Sequence, residues 1–121
     1  MVSYKLGYQV KGKGIFAFVA ANFIELKIDK GIIIDFSKMN DSNWNDDFFQ
    51  GTSPLNENDD LIIALRKGIS LACFELDKIN IKISISSIKY NLVDASISGF
   101  AFSGYQLVYK ACSGKEKYSE V

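Results

Sequence analysis

The sequence predicts an α+β domain, a two-layer sandwich in which a mostly antiparallel, four-stranded sheet carries two helices on one face. Apolar and polar residues alternate in three separate stretches, the mark of strands with one buried and one wet side. Two helix-length runs flank the clearest of these strands, and each carries small residues at spacings of three and four, which lets helix backbones approach closely. The chain has 121 residues, 48% of them hydrophobic, a length that suits one core and leaves no room for a second. We expect a single domain over 1–113 and a C-terminal tail over 114–121.

Tyr4, Leu6, Tyr8 and Val10 alternate with Lys5, Gly7, Gln9 and Lys11, so the chain is expected to open on a strand. Gly12-Lys13-Gly14 ends it and reads as a turn. It lacks the spacing of a Walker loop or a dinucleotide fingerprint, and no helical pattern follows. From Ile15 to Ile28 the residues favour strand, with Ile24, Leu26 and Ile28 in one phase and Phe23, Glu25 and Lys27 in the other. Asn22 shares the phase of Ile24 and marks either a bend in one strand or a break between two. Asp29-Lys30-Gly31 supplies the glycine of a three-residue loop, and Ile32, Ile34 and Phe36 resume the alternation, which reads as a β-hairpin.

Residues 38–56 are polar and turn-rich and hold the only proline, Pro54. Trp44, Phe48 and Phe49 read as a plug for the open end of the core, with Asp41, Asp46 and Asp47 solvated around them. Oxygen-bearing residues there lack the spacing of an EF-hand. Asn56 to Asp60 places caps and acids where a helix N-terminus favours them. Leu61, Leu65, Ile69, Ala72 and Leu76 then share one helical side, with Arg66, Lys67, Ser70 and Asp77 largely opposite. Asp59 and Asp60 read as terminus charges, since no base or nucleophile accompanies them.

Ile79, Ile81, Ile83 and Ile85 alternate with Asn80, Lys82, Ser84 and Ser86, the cleanest strand in the chain. After the turn 90–96, a second helix is expected to run to about Cys112, capped by Asp94. Ala64, Gly68 and Ala72 on the first helix and Ile97, Ala101, Gly104 and Val108 on the second form facing small-residue seams. On the second helix Ser98, Phe102, Tyr105 and Tyr109 make a further stripe at spacings of four, three and four. Solvated helix faces usually carry charge and this one has none. Phe102, Tyr105 and Tyr109 are therefore expected to be covered by a second copy or a protein partner, in preference to the chain's own long loop.

Composition narrows the chemistry. Fourteen basic and fourteen acidic residues cancel, and the pI near 6.2 gives no global attraction to DNA, RNA or an anionic membrane. Any nucleic-acid contact must be local. There is no histidine, so the commonest general base and metal ligand is missing, and Ser-His-Asp and Cys-His arrangements are excluded. No metal or other cofactor is expected. Cys73 and Cys112 fall in the two helices, where a free thiol usually acts as a small hydrophobe. The start of the chain lacks the apolar core of a signal peptide, and the run Ile15–Ala21 is too short to span a bilayer. The expectation is a cytoplasmic, non-enzymatic protein.

Four motifs in order give a resemblance. Gly12-Lys13-Gly14-Ile15-Phe16-Ala17-Phe18-Val19 looks like GxGQYxHV, and Gly51-Thr52-Ser53-Pro54 looks like GGxIP. Ile62 to Ile69, Ile-Ile-Ala-Leu-Arg-Lys-Gly-Ile, is similar to IPAVxKGI. Tyr90 to Ser96 followed by Phe100-Ala101 is similar to YHxVDSSxxAF. Together they resemble domain IV of elongation factor G, the tip domain that enters the ribosomal decoding site, and its relatives among ribosomal protection proteins. The resemblance covers most of the chain. It implies the ribosomal protein S5 domain 2-like fold, with a left-handed β-α-β crossover, and it implies that the segments around Lys13 and Asn91 meet at one tip. Lys11, Lys13, Tyr90 and Asn91 would then be the residues that contact ribosome or RNA. The sequence departs from the family where the tip histidine is Asn91, where Gln-Tyr is Ile15-Phe16, and in a shorter connection after the first helix. This chain has no GTPase domain. The expected function is a free-standing relative of the tip domain, associated with ribosome or RNA, and the alternative is a protein-interaction or regulatory module that kept only the scaffold.

Overall fold

The computed structural model describes residues 1–10, 13–27, 29–37, 44–46, 58–90 and 96–114, with side chains for 1–6, 18–27, 29–37, 58–88 and 96–114. The architecture is α+β. Strands β1 (Val2–Val10), β2 (Lys13–Glu25), β3 (Ile32–Asp35), β4 (Trp44–Asp46) and β5 (Ile81–Tyr90) form one mixed, mostly antiparallel sheet, and helices α1 (Asp60–Glu75) and α2 (Ile97–Ser113) pack on one face of it. Across the sheet the order is β1, β2, β5, β3, with β4 also paired to β5. Both β3 and β4 run parallel to β5, opposite Ile81–Ser84 and Ile88–Tyr90 respectively, so together they make one interrupted edge.

The expected hairpin between β2 and β3 does not form. β5 lies between them, antiparallel to β2 and parallel to β3. Gly31 does adopt the left-handed φ of 74° expected of it, but the chain leaving this bend passes to the far side of β5 instead of pairing back onto β2. Asn80 ties the three strands together at this end. Its side-chain oxygen accepts from the Gly31 N–H at 3.0 Å and its carbonyl accepts from the Leu26 N–H at 2.9 Å.

Inward residues follow the pleat. Tyr4, Val19, Ala21, Ile81, Ile83 and Ile85 are buried beneath the helices, with Val2, Leu6, Phe23, Ile32 and Ile34 packed against them. On β5 the buried set then jumps from Ile85 to Ile88. Ala20 pairs with Ser87 and Ala21 with Ile85, which leaves Ser86 as an extra residue, a β-bulge. One added residue shifts the pleat by one position and keeps Ile88 inside. The long strand is continuous through Asn22, so the expected alternative of a break between two strands does not occur, and the register irregularity lies just before it, between Ala20 and Ala21. Its inward phase over 21–23 is that of Phe23; Ile24 faces the other side and is exposed. That open side is mostly polar, with Asn22 exposed and Lys82 3.8 Å from the Asp35 carboxylate.

Helix α1 begins after Asp59 and buries Ile62, Ala64, Leu65, Gly68, Ile69, Ala72 and Cys73. Leu61 and Leu76, expected on that face with Leu65, Ile69 and Ala72, are half-buried at its margin. The helix ends in a Schellman turn: the Lys78 N–H donates to the Cys73 carbonyl at 2.8 Å and the Asp77 N–H to the Phe74 carbonyl at 3.2 Å. Asp77 occupies the left-handed position, φ 56°. At the start of α2 the cap is Ser96, whose hydroxyl accepts from the Gly99 N–H at 2.9 Å. This replaces the expected Asp94, which lies outside the described residues. The cap is two positions later because the helix itself begins at Ile97.

The two helices touch through their small residues. A Cβ added at Gly68 would overlap the Ala101 carbonyl oxygen, and one at Gly104 would stand 2.6 Å from the Leu65 carbonyl oxygen. The expected seam is therefore the helix contact, except that Ile97 is 58% exposed and outside it.

Candidate functional site

Two surfaces were expected to carry function, a loop tip and the aromatic stripe on the second helix. Lys11 and Asn91 lie outside the described residues, and for Lys13 and Tyr90 only the backbone is described. That backbone is informative. β1 and β2 pair continuously from Val2–Ala21 to Val10–Lys13, whereas the described pairing of β2 with β5 ends at Ala17–Tyr90. Residues 13–16 of β2 and 7–10 of β1 thus pair with each other beyond the last described pair of β2 with β5. At about 3.3 Å per residue, Lys13 stands roughly 13 Å beyond the Ala17–Tyr90 pair along the strand. The two segments share one end of the sheet.

The stripe is covered largely by the chain itself. Phe102 packs edge-on against Tyr4 of β1, with ring centroids 6.2 Å apart. Tyr105 is only 8% exposed. Its hydroxyl and that of Tyr109 both donate to Oε2 of Glu75 at the end of α1, the latter at 2.8 Å, and the two rings lie 4.9 Å apart. One carboxylate from the first helix accordingly satisfies both phenols, and the expected cover turns out to be α1 and β1. Ser98 remains exposed. Glu75 was not foreseeable, because a lone glutamate at a helix end has no sequence mark of a tyrosine partner.

Beside this cluster a groove of about 500 Å³ runs between the helices, lined by Gly68, Leu71 and Glu75 of α1 and Ala101, Phe102 and Tyr105 of α2. On the solvent side of α1 the large apolar side chains Ile63, Leu71 and Phe74 are exposed, Leu71 at 55% and Phe74 at 67%, and Leu71 lines the groove. The sequence did hold a signal for them. Once Leu61, Leu65, Ile69, Ala72 and Leu76 are assigned to the core, these three are an apolar surplus on the side that should be polar.

For chemistry the described residues offer little. Burial pushes the Cys73 thiol up to about 11 and also raises that of Cys112, the latter against the pull of Lys78. Both thiols are therefore held in the unreactive form. Lys78 is raised by its hydrogen bond and charge pairing with Glu25. Among the described residues no group of three or more metal-ligating side chains converges, and no described helix is long and apolar enough to cross a membrane.

No family model matches the sequence, and no curated protein is significantly similar to it. Among solved structures, the chain is similar to a crystal structure of a protein from Thermus thermophilus, with a TM-score of 0.62 and 17% identity over 89% of this chain. The chain spans 14% of that protein's length. At this identity the likeness is one of fold.

Proposed function

We propose that this domain is a non-enzymatic binding module of the elongation factor G tip-domain type, which contacts ribosomal RNA through the end of the β1–β2 ribbon and the neighbouring end of β5. The observation that carries the reading is the pairing of β1 with β2, which continues to Val10–Lys13 at the end of the sheet where Tyr90 of β5 also lies. The motif order of the sequence supports it. Ribbons of this form can enter a groove or cleft that the body of a domain cannot. With zero net charge, attraction to phosphate must come from a few local cations, and the candidates are Lys13, at the start of β2, and Lys11, two residues before it in the sequence. Affinity resting on so few ion contacts falls as salt rises, with a slope of about one per phosphate contact.

Co-sedimentation with ribosomes at low and high salt tests this. Wild type should pellet at low salt and release at high salt, and Lys11→Glu with Lys13→Glu should weaken binding and flatten the salt dependence. Wild-type protein that stays in the supernatant at low salt would eliminate the reading. A protein-interaction module, the second reading, is favoured by the exposed Ile63, Leu71 and Phe74 on α1, of which Leu71 lines the interhelix groove.

A further inference from the structure

The solvent side of α1 carries its charges and apolar groups in an order that complements itself. Lys67, Leu71 and Glu75 succeed one another at intervals of four and so form a single ridge, about 6 Å per step. Lys67 and Glu75 are exposed and Leu71 lies between them. Read in reverse the ridge has opposite charge at each end. We propose that α1 is the isologous interface of a homodimer, in which a second copy of this chain packs antiparallel across a two-fold axis at Leu71.

That arrangement sets Leu71 against its own counterpart and each Lys67 against the second copy's Glu75. A parallel copy would instead face like charges, which disfavours it. Phe74 and Gly68 are equidistant from Leu71 on opposite sides, so Phe74 of one copy comes to the position of Gly68 in the other. There the 500 Å³ groove opens, floored by Gly68 and Ala101, and offers room for an aromatic ring that would otherwise be 67% exposed. Self-complementarity of this kind is what a two-fold interface requires, because one patch must serve as both knob and hole. Leu71 and Phe74 supply the affinity, while the exposed ion pairs contribute little and fix the register. The proposal is independent of RNA binding, since Lys11→Glu with Lys13→Glu should leave the dimer unchanged.

Sedimentation equilibrium on the full chain tests it, with circular dichroism to verify that each variant is folded. Wild type should dimerise, and Leu71→Glu should weaken the dimer about tenfold or more, as expected for a central apolar anchor. Lys67→Glu and Glu75→Lys should each weaken the dimer, since like charges then meet at both ends, and mixing the two should restore wild-type association, because each then meets opposite charge at both ends. Glu75 also holds the Tyr105 and Tyr109 hydroxyls, so an independent probe is needed should Glu75→Lys disturb the fold. Leu71→Cys in a Cys112→Ser background supplies it: two thiols at the axis should join as an interchain disulfide under a mild oxidant. A wild type that remains monomeric at its solubility limit would overturn the proposal, as would a dimer indifferent to Leu71→Glu or a Leu71→Cys chain that does not cross-link.

Discussion

Gly68 shows how one missing methyl group decides the distance between two helices. Alanine is the better helix former by about 1 kcal/mol, yet its Cβ would overlap the Ala101 carbonyl oxygen. A backbone atom can yield only if the helices separate, and overpacking of that kind costs about 1 to 3 kcal/mol. Sterics should win. Gly68→Ala is expected to lower stability in urea titrations and Gly68→Leu to lower it further; an unchanged midpoint would place Gly68 outside the contact. Asp77 makes the opposite argument, since it holds φ 56° where glycine has no Cβ to strain. We expect Asp77→Gly to be neutral or stabilising by up to about 1 kcal/mol and Asp77→Ala to be destabilising by a similar amount. Equal effects of the two substitutions would contradict a left-handed residue there. Cys73 links burial to pH. Its thiol ionises at about 11 in the fold against an ordinary 9.0, so between those values the folded form keeps a proton that the unfolded chain has lost. Stability tied to the neutral thiol is complete below pH 9 and is lost as pH rises through 11. Over that window wild type should lose more stability than Cys73→Ala. Parallel losses would show that the thiol is not buried in the way described.

At the scale of elements, periodicity located β1, β2, β3, β5 and both helices but not β4, which lies in a stretch read as loop, while phase and capping were harder to read. The first helix was expected to turn Leu61, Leu65, Ile69, Ala72 and Leu76 to one side; it buries Leu65, Ile69 and Ala72 and adds Ile62, Ala64, Gly68 and Cys73, while Leu61 and Leu76 are only half-buried. A helix wedged between a sheet and a second helix has two buried sides, so no single stripe describes it. β5 shows the complementary problem. Strict alternation from Ile81 would turn Ile88 outward, and the bulge at Ser86 turns it back. Nothing in Ile85-Ser86-Ser87-Ile88 distinguishes a bulge from the end of a strand until a partner strand fixes the register. The second helix gives a direct test of its cap. Ser96→Ala removes the acceptor for the Gly99 N–H and should cost roughly 0.5 to 2 kcal/mol, measured by the denaturation midpoint. A loss well below this range would return the cap to another residue.

Over the whole molecule the decisive feature is the insertion of β5 between β2 and β3. A strand hydrogen-bonded on both sides opens only when the sheet does, so amides of Ile83 and Ile85 should exchange most slowly, and those of β1 that point away from β2 should exchange early. Native-state hydrogen exchange read by NMR checks this, and fast exchange along β5 would be incompatible with a central strand. The α+β class, the helix pair on one face, the small-residue seam and the presence of β1, β2, β3 and β5 were legible in the sequence by itself, because each follows from local periodicity and residue size. The strand order was not. Asp29-Lys30-Gly31 has hairpin chemistry and Gly31 takes the hairpin glycine's φ, but local conformation sets only how the chain bends there. Which strand it then meets depends on β5, far away in sequence, whose two inward-facing isoleucines Ile81 and Ile83 pair with Ile32 and Ile34. The same holds for the candidate surfaces. Tyr105 and Tyr109 were recognisable as an uncharged stripe, whereas Glu75 reached them only through the packing of α1 on α2. Contacts between residues distant in the chain are decided by which faces meet, and that is a property of the packed tertiary structure alone.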